Sequence, residues 1–235
     1  MREHTHISQE FDRELEDIRA KVSEMGGIVE TQLDKALDAL SKGDTELAET
    51  VAHSDYQVNL LEVEIDKACT EILAKRTPAA SDLRLVLAVT KIITDLERVG
   101  DEAEKIGRFG TRLVESQSSK SYYTGVLAMG SHVKSLLNEA LDAFARRDAD
   151  GALIIAKQDV QVDRQNEAIT RQLITYMMED PRSITSALDV AWTVRALERI
   201  GDHAKNICES VIYMVKGMDI RHISLDTVEK ELKEA

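Results

Sequence analysis

Aromatic side chains make up only 4% of this 235-residue chain, and it contains just two prolines and 11 glycines. A β-rich fold needs more turn residues and more aromatic and β-branched positions than that, so sheets are excluded as the organising element. Two cysteines, Cys69 and Cys208, have neither the number nor the spacing of a disulfide framework or a zinc site. Each reads as a buried, reduced thiol. No stretch approaches the ~20 apolar residues of a membrane span, and Met1 to His6 lacks the apolar core of a signal peptide. The expectation is a cytoplasmic protein with no direct membrane insertion. Positive charge is also in deficit. Thirty Lys and Arg stand against 43 Asp and Glu, a formal net charge of -13, which argues against nucleic acid or anionic lipid as a direct partner.

What is present is the palette of long helices: Ala, Leu, Glu, Asp, Lys and Ile. It is also repeated. Met25 to Leu40 reads MGGIVETQLDKALDAL and Met129 to Phe144 reads MGSHVKSLLNEALDAF, identical at eight of sixteen positions, where background composition gives about one. Asp55-Tyr56-Gln57-Val58-Asn59 is echoed by Asp159-Val160-Gln161-Val162-Asp163, and Pro78 by Pro181. Leu96-Glu97-Arg98-Val99-Gly100-Asp101 returns as Leu197-Glu198-Arg199-Ile200-Gly201-Asp202. Four blocks in the same order amount to a duplication.

Each copy divides into three helical patterns. In the first they run from about Ser8 to Ser41, from Asp44 as a cap to Arg76, and from Ser81 or Asp82 to Glu115. In the second they run from about Tyr122 to Arg146, Asp148 to Met178 and Ser183 to Lys216, with a short helix expected at Leu225 to Lys233. Gly43, Thr77-Pro78 and the polar run Ser116 to Ser119 punctuate the chain. Short links imply antiparallel neighbours. The predicted fold is all-α, a tandem repeat of two antiparallel three-helix bundles at 8–116 and 119–217, with a tail at 218–235.

At 100° per residue, Ile92, Leu96, Val99, Ala103 and Ile106 form an apolar stripe, while Glu97, Asp101 and Glu104 stack away from it at i, i+4, i+7. Glu198 and Asp202 repeat the pair; Lys205 replaces the third acid and Glu209 lies on the same line. Asp55, Asn59, Glu62 and Asp66 form a matching line on the second helix, with Asp159, Asp163, Asn166 and Thr170 as counterparts. Gly100 and Gly201, beside the acids, leave room for a close neighbour. Such lines are either solvated faces or places where a cation offsets the repulsion. All-oxygen ligation suits Mg²⁺, Mn²⁺, Ca²⁺ or iron. The histidines His53, His132, His203 and His222 show no metal-ligand spacing, and the Met25 and Met129 blocks read as core.

The paired DLERVGD (Asp95–Asp101) and ALERIGD (Ala196–Asp202) motifs, the PAASDLR stretch (Pro78–Arg84) and the duplicated three-helix plan resemble the PhoU family over essentially the whole chain. That resemblance implies a cytoplasmic negative regulator of the phosphate-starvation response. Its implied partners are a PstB-like ATPase of a phosphate transporter and a PhoR-like sensor histidine kinase, with a homodimer as the assembly. It implies metal ions on the bundle surface, Mg, Mn, Fe or Zn, held by Glu97-Asp101, Glu198-Asp202, Glu62-Asp66 and Asp159-Asp163, with Asp55 on a weaker line. Two other readings stand beside it. A metal-free scaffold would offer its acidic faces to basic partner helices. A di-metal carboxylate oxidase would need inward-facing Glu and a Glu-x-x-His motif, and the one such spacing, Glu3–His6, lies at the start of the chain. No nucleophile–base pair, phosphate loop or dinucleotide fingerprint appears, so no enzymatic activity is expected.

Overall fold

The structure is a computed structural model that describes residues 9–52, 56–115 and 124–234. The polar run expected to separate the copies, together with Asp55 and His53, lies outside the described residues. Helices α1 (Gln9–Lys42), α2 (Thr45–Ala52), α3 (Tyr56–Arg76) and α4 (Ala80–Glu115) form the first copy. Helices α5 (Thr124–Arg146), α6 (Ala149–Ala156), α7 (Asp159–Glu179) and α8 (Ile184–Lys216) form the second, and α9 (Leu225–Glu234) follows. Among the described residues there are no strands, so the all-α, duplicated architecture read from the repeats is the one found.

The boundaries follow local chemistry. The first helix ends as the N–H groups of Gly43 and Asp44 both donate to the Ala39 carbonyl, at 2.9 and 3.0 Å. Gly43 sits at φ +71°, the left-handed conformation that glycine tolerates at a helix end. The Asp44 carboxylate then accepts from the Leu47 N–H at 3.0 Å, capping α2. The second copy makes the same turn with Arg147 at φ +54° and with Asp148 accepting from the Gly151 N–H at 2.9 Å.

One element departs from expectation. The second helix of each copy was read as continuous, from Asp44 to Arg76 and from Asp148 to Met178. In the second copy it is interrupted at Lys157-Gln158, where the Gln158 N–H donates to Ile155 O and the Gln161 N–H to Gln158 O. These i→i+3 bonds tighten the helix into a bend. The apolar face of α6, with Ala152, Leu153, Ile155 and Ala156 buried, thereby turns onto the core separately from that of α7. Neither Gly nor Pro marks the site, which is why periodicity reads through it.

The two copies share one core. Buried apolar side chains connect from Phe11 to Val228 without a break between repeats, and the most extensive contact of any helix pair joins the two third helices, α4 and α8. They run antiparallel: Arg112 meets Asp189, Glu102 meets Arg199, and Asp95 meets His203. The first helices cross near their repeated Met-Gly blocks. A Cβ on Gly26 would lie 2.9 Å from Leu141, and one on Gly130 would lie 2.4 Å from Leu37. Leu37 and Leu141 are themselves equivalent residues, so each copy's glycine receives the other copy's leucine. The motif that marks the duplication also joins its halves.

A valine at Gly26 or Gly130 should overpack this crossing and cost about 1–3 kcal/mol each. Chemical denaturation reads the loss, and the double variant should fall further than either single one.

Candidate functional site

The carboxylates of the repeated motif lie on the rims of α4 and α8, those of α8 on the flank that faces α7. The apolar residues between them, Leu96, Val99, Leu197 and Ile200, are fully buried. This division follows from the 100° advance per residue: positions two and six of the motif fall on the rim while one and four turn inward.

In the second copy the structure brings four predicted residues into one electrostatic group. Burial, then the neighbouring Asp202 and Asp163, with Asp159 contributing least, hold the Glu198 carboxyl above its ordinary range. Burial, then Asp159 and Asp163, do the same to Asp202. Close approach is possible because of Gly201, where an added Cβ would meet Val162 at 3.2 Å and the Asp159 carboxylate at 3.5 Å. Asp159 is only 5% exposed and accepts from Lys205 Nζ at 3.0 Å. Lys205, standing where the first copy has Glu104, thus supplies part of the compensation a cation would give. Asn166 and Thr170 are bonded to each other, the Thr170 hydroxyl donating to Asn166 Oδ1 at 3.3 Å.

In the first copy Glu97 and Asp101 flank Arg98, whose Nε lies 3.3 Å from Glu97 and Nη1 3.4 Å from Asp101. Glu62 is half-buried on α3 and Asp66 is exposed one turn before Cys69. Among the described residues no three His, Cys, Asp or Glu groups stand close enough to hold a single ion. The carboxylate pairs nonetheless have the donor chemistry a hard cation takes, and the raised Glu198 and Asp202 mark repulsion that such a cation would relieve.

Periodicity missed a second polar group, at the α4–α8 seam. Glu102 is 2% exposed and lies 2.9 Å from Lys105 Nζ and 3.0 Å from Arg199 Nη1 of the other copy. Asp95 accepts from His203 Nδ1 at 2.8 Å and from Asn206 at 3.1 Å. The available signal was asymmetry: Asp95 and Glu102 correspond to Ala196 and His203, so the pairs complement one another across copies. His132 also has a partner, Gln165, at 2.9 Å. Cys69 and Cys208 are free and buried, and burial pushes both thiols up to about 12. No helix of the described residues is long and apolar enough to cross a membrane.

The fold and its acidic motifs define a class: duplicated helical proteins in which two three-helix units fuse along their third helices and carry the same carboxylate pair. The PhoU domain matches residues 22–109 and 126–211, one match per copy, and the chain belongs to the PhoU family. It is 50% identical over 228 residues to a phosphate-specific transport system accessory protein PhoU homolog of Pseudomonas aeruginosa, covering 97% of this chain and 94% of that one. It is 48% identical over 227 residues to the PhoU of Escherichia coli, with the same coverage. The crystal structure of PhoU from P. aeruginosa superposes with a TM-score of 0.86 over 88% of this chain and all of that one. That of the phosphate transport system regulatory protein PhoU from Streptococcus pneumoniae, 32% identical, gives 0.81 over 88% of this chain and 98% of that one. The family is one of regulatory accessory proteins, not of enzymes.

The raised carboxyls carry a pH dependence. Their unfolded forms lose protons first as pH rises, so the stability they contribute is full below the ordinary carboxylate value and is lost as pH passes their raised folded values. At neutral pH without metal, Asp202→Asn should therefore raise the melting temperature by about 1–3 °C, and the gain should shrink in acid. An unchanged neutral melting curve would show that Lys205 already cancels the repulsion.

Proposed function

We propose that this protein is a cytoplasmic accessory regulator of phosphate transport. In this reading it links a PstB-like transporter ATPase to a PhoR-like sensor histidine kinase and holds the starvation response down when phosphate is plentiful. The observation that carries the reading is the match of both repeats, in order and nearly end to end, to relatives named as accessory proteins of phosphate-specific transport. An adaptor needs rigid, separated faces rather than a catalytic pocket. One fused core with a carboxylate flank on each third helix meets that need, and a homodimer would double the number of faces offered.

Metal binding is part of the same reading. The pairs Glu198-Asp202 and Asp159-Asp163 would each offer carboxylate oxygens to a hard cation in the second copy, and Glu97 with Asp101 would do so in the first. Bound there, Mg, Mn, Fe or Zn would supply charge neutralisation. The chain's own contribution is to keep the carboxylates on adjoining helices at a glycine-permitted approach. A metal-free acidic scaffold is the second reading. It is favoured by Lys205 on Asp159 and by Arg98 between Glu97 and Asp101, since both acid pairs already have cations beside them.

Two measurements decide. Removing the gene should raise a phosphate-starvation reporter in phosphate-replete cells, and the purified protein should retain the transporter ATPase or the kinase on a column; a silent reporter with neither partner retained rejects the regulator. Mn²⁺ or Mg²⁺ should raise the melting temperature of the wild type, and Asp101→Ala with Asp202→Ala should abolish the rise. Saturable partner binding that survives chelation, with no metal effect on melting, selects the scaffold.

A further inference from the structure

The two copies carry one charge pair in opposite order. On α4 it runs Glu104 then Arg108, with 3.5 Å between them. At the equivalent places on α8 the sequence has Lys205 then Glu209. Each pair sums to zero, so at these positions the copies differ not in charge but in where the positive group stands. Reversal at i, i+4 moves that group about 6 Å along the axis, from beyond the acid line to a place within it.

Burial holds Lys205 in that place. Its Nζ lies 3.0 Å from Asp159, a residue only 5% exposed, and Glu209 and Asp202 also act on its charge. The arginine of the second motif is engaged elsewhere: Arg199 reaches across the seam to Glu102 at 3.0 Å. In the first copy the equivalent Arg98 stays beside Glu97 and Asp101, with 52% of its side chain exposed. The two resident cations therefore differ in how readily they are displaced. Arg98 can turn aside into water, and the acids beside it keep some contact with solvent. Lys205 cannot leave without stranding the Asp159 carboxylate in the interior, which is costly for an unpaired charge.

We propose that Lys205 is a tethered counter-ion that sets the two copies apart: it fills, in the second, the place a hard cation would take, so that a divalent ion binds the first copy before the second. The proposal rests on the metal reading above and gives that reading an order. An ammonium group a few ångströms from a divalent ion weakens its binding about tenfold or more, and the ion must also break the bond between Lys205 and Asp159. One duplicated motif thus yields two unlike faces. The charge of the first follows the supply of divalent cation, while that of the second is set from within the chain.

The test follows Mn²⁺ in the full chain by equilibrium dialysis and by its electron-spin resonance. At low Mn²⁺, Asp101→Asn should remove most of the binding and Asp202→Asn little of it. In the Asp101→Asn background, which leaves the second copy to be read alone, Lys205→Gln should tighten Mn²⁺ about tenfold. Lys205→Glu with Glu209→Arg, which gives α8 the charge order of α4, should tighten it further, and Lys205→Arg should leave it weak. Without metal the Lys205→Gln chain should melt below the wild type, because Asp159 has lost its partner, and Mn²⁺ should recover the loss; a purely structural lysine would show no such recovery. Equal loss of binding in Asp101→Asn and Asp202→Asn overturns the counter-ion and leaves the metal reading standing, as does an affinity that Lys205→Gln and the reversed pair both leave unchanged. Binding that appears only once Lys205 is replaced keeps the counter-ion and overturns metal binding by the native chain. No saturable Mn²⁺ in any of these chains overturns both.

Discussion

Everything in this fold leans on the antiparallel packing of α4 against α8. Each is more than thirty residues long, and each buries a sector too wide for the other three helices of its own copy to cover. The surplus is satisfied by the other copy's equivalent helix. A buried carboxylate at such a seam costs several kcal/mol unless it is paired, and Glu102 is paired twice, once within its copy and once across. The seam is therefore both apolar and selective: it joins unlike faces of two similar units, because Asp95 and Glu102 meet cross-copy partners where the second copy has His203, Asn206 and Arg199.

That selectivity organises charge over the rest of the surface. Acids at the seam sink beneath the cations that neutralise them, while on the outer flanks Arg98 stands between Glu97 and Asp101, and Glu198 and Asp202 stay raised despite Arg195 and Lys205 nearby.

Much of this was legible in the residues. The duplication, the number of long helices, their ends at Gly43 and Gly217, the buried Leu96, Val99, Leu197 and Ile200, and the outward Glu97, Asp101, Glu198 and Asp202 all follow from periodicity and repeat alignment, which are local. What escaped depends on contacts between distant segments. The bend at Lys157-Gln158 has no breaker residue and arises because α6 and α7 pack on different parts of the core. The service of Lys205 to Asp159, and of Arg199 to Glu102, joins residues forty-six and ninety-seven positions apart, and no spacing rule reaches that far.

The two cysteines, one on α3 and one on α8, have a further use. Each is sealed in the interior with its thiol held protonated, so an alkylating reagent reaches it only when the surrounding structure opens. Because each copy carries one, the ratio of their labelling rates measures whether the halves of this duplicated chain breathe separately or as one body. The molecule thus contains a gauge of its own cooperativity, one mark on each half.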